Sequence, residues 1–186
     1  MKLRDSVIIV TGSATGLGSA IVKQVAAKGA RVVINYTKSE KEAHETEAVC
    51  DYLGVESILC KADVSVDEDC RRMADLSMEK WGRIDGLVNN AARSVFANSK
   101  DLEALDGQQF MDVYSVNVVG AYQMTRAAAP HMKAGGDGSI VNVSSISALT
   151  GAGSSIAYVA SKGALNTMTT ALARALAPEI RVNAVL

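Results

Sequence analysis

Tyr158 and Lys162 stand four residues apart in the run Ala157-Tyr158-Val159-Ala160-Ser161-Lys162. On a helix that spacing puts both side chains on one face. A cation beside a phenol favours the phenolate, so such a phenol is lowered from about 10 toward a range useful for proton transfer near neutral pH. Any helix can carry Tyr-x-x-x-Lys by chance. Its weight here comes from a glycine-rich turn far upstream, Thr11-Gly12-Ser13-Ala14-Thr15-Gly16-Leu17-Gly18. A proton-moving pair and a phosphate-cradling turn point together to redox chemistry.

In that turn Gly12 permits the tight bend, Gly16 lets backbone approach a pyrophosphate, and Gly18 lets helix and strand pack closely. The free amides and dipole of the following helix favour the anion. The spacing is G-x3-G-x-G, not the more familiar G-x-G-x-x-G. A glycine-rich connection that binds nothing is the bland alternative, and placement after the first strand of a βαβ unit favours a dinucleotide. Gly12, Ser13, Thr15, Gly16, Leu17 and Gly18 are the expected contacts.

Further contacts are expected where later strands end. Asp63, followed by Val64, could accept a hydrogen bond from an adenine amino group or cap the next helix, as Ser65 also could. Asn89, Asn90, Ala91 and Ala92 offer small residues against which a cofactor can lie, or form a simple tight turn. The second strand ends in Asn35-Tyr36-Thr37-Lys38, with no carboxylate before Glu40. An acid there would hold a ribose 2′-hydroxyl; a hydroxyl and an ammonium suit a 2′-phosphate. Tyr36, Thr37 and Lys38 therefore favour NADP(H) over NAD(H).

The elements that must position these residues alternate along the chain. Short apolar runs at 6–11, 31–36, 56–61, 84–89, 139–143 and 180–185 read as strands. Helical patterns lie at about 17–28, 39–53, 66–80 and 157–177, and a longer stretch at 102–132 divides into two segments near 112–117. Pro130 and Gly135-Gly136 end that stretch, and Pro178 closes the last helix. Apolar strands alternating with amphipathic helices imply a doubly wound α/β Rossmann-type three-layer sandwich around a parallel sheet.

The chain has 186 residues, 48% of them hydrophobic, enough for one core and one domain over 1–186. Nineteen basic against twenty acidic residues, a net charge of −1, call for no nucleic acid and no anionic membrane. No apolar run approaches the roughly 20 residues of a membrane span, and the start does not read as a signal peptide. Cys50, Cys60 and Cys70 lack the paired spacing of a zinc site, so no metal is expected. They read as packed, reduced thiols of a cytoplasmic protein.

The motifs Thr11-Gly12-x-x-x-Gly16-x-Gly18, Asp63-Val64, Asn89-Asn90-Ala91, Asn117, Ser145 and Tyr158-x-x-x-Lys162 run in this order from residue 6 to the end. Together they resemble a classical short-chain dehydrogenase/reductase, with a weaker likeness of 32–36 to the 3-oxoacyl-carrier-protein reductase branch. The resemblance implies a role for each residue. Tyr158 exchanges a proton with the substrate oxygen, and Lys162 lowers the phenol's pKa and bonds the nicotinamide ribose. Ser145 holds the substrate carbonyl, and Asn117 supports a water relaying protons through Lys162. It also implies a homodimer or homotetramer built on the helices near 102–132 and 157–177.

Two departures stand out. Ala92 replaces a common glycine, and its added methyl is either tolerated or crowds the cofactor. The chain stops at Leu186, where family members continue with a substrate loop and a seventh strand, so a truncated chain is expected. The expected activity interconverts a ketone and a secondary alcohol on a small-molecule substrate. The rival reading is a dinucleotide-binding redox sensor or scaffold without turnover, and a third is an enoyl reductase or epimerase on the same scaffold.

Overall fold

Apolar positions alternate in direction along the strands, which gives the sheet a core on each face. In β1 (Val7–Val10), Ile8 and Val10 face one side and Ile9 the other; in β2 (Arg31–Tyr36), Val32 and Ile34 oppose Val33. The computed structural model describes residues 2–186. Ile8, Val10, Val32 and Ile34 pack on Val22 and Ala26 of α1 (Gly16–Ala26) and on Ala43 and Cys50 of α2 (Glu40–Tyr52). The opposite face meets Met73 of α3 (Asp67–Trp81) and Met124 and Met132 of α5 (Ala121–Gly135). Each fully buried aliphatic side chain contributes about 1.5–3 kcal/mol, so strands with both faces covered carry most of the apolar burial.

The sheet continues with β3 (Ser57–Lys61), β4 (Gly86–Asn89), β5 (Gly138–Val143) and β6 (Ile180–Val185). Its order is β3-β2-β1-β4-β5-β6, and every pairing is parallel. The chain therefore winds outward in both directions from the β1–β4 junction. At such a reversal the connections leave the sheet on opposite sides and open a crevice at the strands' carboxyl ends. The expected Rossmann-type layering is what the structure has.

The stretch expected as two helical segments ended by Pro130 and Gly135-Gly136 does end at those glycines, but it is built otherwise before them. After a single 3₁₀ turn at Leu102–Ala104, α4 (Gly107–Tyr114) starts from a capping box between Asp106 and Gln109. A π-helical turn, Ser115–Gly120, then runs into α5 without a break. The mixed β-branched and polar residues mark that wide turn, not a division between separate helices. Pro130 lies inside α5 at an exposed position, although its ring removes one helical hydrogen bond. Gly136, at φ +77°, ends the helix. A short helix after β5, α6 (Ser147–Thr150), was not expected; α7 (Ile156–Leu176) was, and Ser155 caps it by accepting from the Tyr158 amide.

The carboxyl ends of β4 and β5 are tied by side chains as well as backbone. Asn89 and Asn142 are register partners; Asn89 Nδ2 donates to Asn142 Oδ1 at 2.8 Å. Asn142 Nδ2 in turn donates to Thr169 Oγ1 of α7 at 2.8 Å. All three residues are buried, so their amide donors depend on these protein partners. Thr169→Val keeps the shape but leaves the Asn142 amide unpaired. Urea unfolding is expected to show a loss of about 1–3 kcal/mol. A change below about 0.5 kcal/mol would mean that this amide has another partner.

Candidate functional site

A cavity of about 620 Å³ lies over the β1–β4 junction, and the glycine turn forms its floor. Gly12 and Gly16 adopt φ +60° and +55°, in the left-handed region that suits glycine. A Cβ at Gly12 would sit 2.9 Å from the Ala91 Cα, whereas one at Gly16 would meet nothing within 4 Å. Gly16 is thus needed for its backbone conformation and leaves its surface open. At Gly18 a Cβ would lie 2.4 Å from the Gly12 carbonyl oxygen and 2.6 Å from Asn90 Nδ2. The close packing expected there is against the turn itself and the end of β4.

Two amide side chains hold this floor. Asn90 Nδ2 donates to the carbonyls of Thr11 (2.9 Å) and Gly12 (3.0 Å). Thr11 Oγ1 accepts from the amides of Asn90 and Ala91, both at 3.0 Å. Asn35 Oδ1 accepts from the Gly12 amide at 2.8 Å, while its Nδ2 donates to the carbonyls of Cys60 and Ala62. Ser13 is fully buried and joins the same lattice, donating to the Val10 carbonyl and accepting from the Asn35 amide. Asn89 faces the other way, into the core.

Of the residues expected to contact the cofactor, twelve are on the cavity wall: Gly12, Thr15, Gly16, Leu17, Gly18, Tyr36, Thr37, Lys38, Asp63, Val64, Asn90 and Ala91. The Ser13 and Asn89 side chains instead support the wall from behind. Ala92 lies on the wall too, with Asn35, Ser39, Arg93 and Val116, which had not been singled out as contacts. Asn35 was recognisable in principle: a polar residue ending an apolar strand must find buried partners. Asp63 accepts from the amide and hydroxyl of Ser65, and neither residue caps α3, whose first residue follows Val66 without a side-chain cap.

The wall suits a dinucleotide. Thr15 precedes α1 without a side-chain cap, and the first turn holds no acid, so its amides are presented to the cavity. Amides and dipole together favour a pyrophosphate there. At the β2 end, burial first and the Glu40 carboxylate second raise the Tyr36 phenol, which keeps its proton to donate. Thr37 and Lys38 stand beside it, exposed.

The remaining expected residues lie on α7, the π-turn and the segment after β5. Lys162 is 2% exposed; its Nζ donates to the Val143 carbonyl at 2.7 Å and sits 5.6 Å from the Tyr158 ring centroid. Burial pulls its pKa down to about 8. Ser145 Oγ donates to Ser147 Oγ (3.0 Å) and accepts from the Ser147 amide (3.1 Å), which starts α6. Asn117 Oδ1 accepts from the Arg93 amide, and its Nδ2 donates to the Arg93 carbonyl and to Ser161 Oγ. Arg93 also pairs with Asp112 at 2.8 Å. Arg93 is thus on the cavity wall while its backbone is held by a residue of the π-turn.

The three cysteines are free and buried, and burial raises their thiols, Cys50 to about 11 and Cys70 to about 12. They stay protonated and unreactive. No cluster of three or more possible metal ligands occurs among the described residues.

Comparison with known proteins places the chain. The profile of the short chain dehydrogenase family matches residues 6–186. Ketoacyl reductase 2 of the granaticin polyketide synthase of Streptomyces violaceoruber is 41% identical over 179 residues, covering 96% of this chain and 70% of that protein. The NADPH-dependent aldehyde reductase 1 of Arabidopsis thaliana chloroplasts is 37% identical, covering 99% of this chain and 65% of the relative. A crystal structure of NAD+-bound xylitol dehydrogenase superposes with a TM-score of 0.91 at 31% identity, over 99% of this chain and 70% of the other. The chain belongs to the short-chain dehydrogenase/reductase family, whose members are NAD(P)-dependent oxidoreductases. The ketoacyl reductase relative agrees with the fainter likeness to the 3-oxoacyl-carrier-protein reductase branch.

The buried ammonium has a pH signature. Lys162 holds its proton less tightly folded (about 8) than unfolded (10.5), so between these values the unfolded chain binds more protons and stability rises with pH. Below pH 8 the full cost is present, on the order of 3 kcal/mol. Lys162→Met removes it. The difference in unfolding free energy between variant and wild type is expected to shift toward the wild type from pH 7 to pH 10. Urea titrations giving the same difference at both pH values would show that Lys162 is not desolvated.

Proposed function

We propose that this protein is an NADP(H)-preferring oxidoreductase that interconverts a ketone and a secondary alcohol of a small molecule, with Tyr158 as the acid–base group. The observation that carries the reading is the buried Lys162 ammonium held at 5.6 Å from the Tyr158 ring, on a helix tied through Ser161 and Asn117 to Arg93 of the cavity wall. The nicotinamide cofactor, when bound, supplies or takes up the hydride. The uncapped first-turn amides of Gly16, Leu17 and Gly18 would hold its phosphates over the bend at Gly12, and Asp63 and Val64 would border its adenine. Asn90 holds the floor, and Ala91 packs against it.

The Tyr158 hydroxyl gives a proton to the carbonyl oxygen in reduction and takes it back in oxidation. The Lys162 ammonium favours negative charge on the departing phenol oxygen, and its burial strengthens that effect by excluding water. It would also bond the nicotinamide ribose. Ser145 would orient the substrate carbonyl by turning its hydroxyl away from Ser147. A relay water at Asn117 would use the second lone pair of Oδ1 or the backbone carbonyl, because both side-chain donors are taken.

The preference for NADP(H) rests on Tyr36, Thr37 and Lys38 at the β2 end of the cavity, where an NAD(H) site would place an acid. The 1–186 chain acts as one dinucleotide-binding domain. Exposed Met111, Val119 and Tyr122 along α4 to α5 support assembly into a homodimer or homotetramer, and the free thiols support a cytoplasmic setting.

Two measurements test this. Tyr158→Phe is expected to lower kcat for NADPH-dependent ketone reduction by about 10²–10⁴ while leaving NADPH affinity unchanged. A wild type that binds NADPH yet reduces no ketone in a broad panel would instead indicate a cofactor-binding sensor. For the nucleotide, Kd is expected to be lower for NADPH than for NADH, and Lys38→Ala should erode that advantage by about tenfold. Tighter binding of NADH to the wild type would reverse the assignment.

A further inference from the structure

Ser161 belongs to none of the groups assigned above, yet it is fully buried and fully engaged. Its hydroxyl donates to the Tyr158 carbonyl at 2.7 Å and accepts from Asn117 Nδ2 at 2.9 Å. Asn117, 2% exposed, uses its other donor and its acceptor on the carbonyl (3.0 Å) and amide (2.7 Å) of Arg93. The result is a continuous chain of hydrogen bonds from Arg93, on the cavity wall, through the π-turn to the backbone of Tyr158.

We propose that Ser161 is a positioning residue that fixes the Tyr158–Lys162 turn of α7 relative to the cofactor wall. The proposal rests on Tyr158 being the acid–base group. A serine inside a helix that bonds back to a carbonyl three residues earlier slightly weakens the helix, and alanine would be the better former. What serine adds is an acceptor for Asn117. Without it, a buried amide donor loses its partner, and α7 can slide against the π-turn. The Tyr158 hydroxyl lies at the end of a long side chain, so a small backbone shift moves it off the reacting oxygen. Misplacement by about 1 Å can cost a factor on the order of 10².

The test compares wild type, Ser161→Ala and Ser161→Cys as full chains. For Ser161→Ala, kcat is expected to fall by about 10- to 100-fold with substrate KM and NADPH Kd unchanged within twofold. Ser161→Cys, nearly the same size and with a weak hydrogen-bonding group, should recover part of kcat. In the same variants the Arg93 amide, which donates to Asn117, should exchange its hydrogen faster in Ser161→Ala. A merely structural serine would lower the melting temperature and leave kcat unchanged, or weaken NADPH binding and kcat together, and either result overturns the proposal. If the wild type reduces no ketone, the reading of function above fails. The hydrogen-exchange arm then still decides the link, since unchanged Arg93 exchange in Ser161→Ala would break it.

Discussion

Where parallel strands end and the chain departs in different directions, backbone amides and carbonyls lose their ladder partners and cannot be left dry. This protein satisfies them with carboxamides. Asn35 at the end of β2, Asn90 just past β4 and Asn117 in the π-turn each offer a donor and an acceptor on a short stem, and each bonds backbone of a neighbouring segment. Asparagine suits this because its two functions lie about as far apart as a peptide's own. The glycine turn enters its first left-handed bend because Asn35 and Asn90 hold it at Thr11 and Gly12. Remove that satisfaction and the cavity has no floor.

The same device ties the cavity to the helix that carries Tyr158 and Lys162. The cavity wall and α7 share no strand, yet Arg93, Asn117 and Ser161 link them through buried hydrogen bonds. Lys162 works against stability in the same place, since its ammonium is buried with the Val143 carbonyl as its hydrogen-bond acceptor. A site that holds a charge out of water gives up fold stability for electrostatic strength, a trade found where proton transfer is needed.

Most of the fold was legible because periodicity reports burial directly. The strands at Arg31–Tyr36 and Ile180–Val185 match their apolar runs residue for residue, and six such runs between helices suffice for a doubly wound sheet. What escaped was decided by tertiary contact. Alternation says that Asn89 and Asn90 point opposite ways but not which one meets the glycine turn; only the packing of Asn142 and Thr169 settles that. The four-residue helix after Ser145 is too short to leave a periodic trace, and Pro130 looked like a terminator because its solvent exposure was unknown. Ser161 sat between Tyr158 and Lys162 in plain view, and nothing in its spacing reveals an acceptor for an amide 44 residues earlier.

The π-turn between α4 and α5 is in effect one residue more than an α-helical path needs. Losing that residue would relax the segment locally into a regular helix. It would also rotate everything downstream by about 100° about the axis. Met124 and Met132 would swing away from the sheet, Gly120 would leave its close seat on Val64, and Asn117 would lose Arg93. A locally unfavourable bulge thus sets the angular phase on which both the core and the cleft rely, and selection for helix stability alone would erase it.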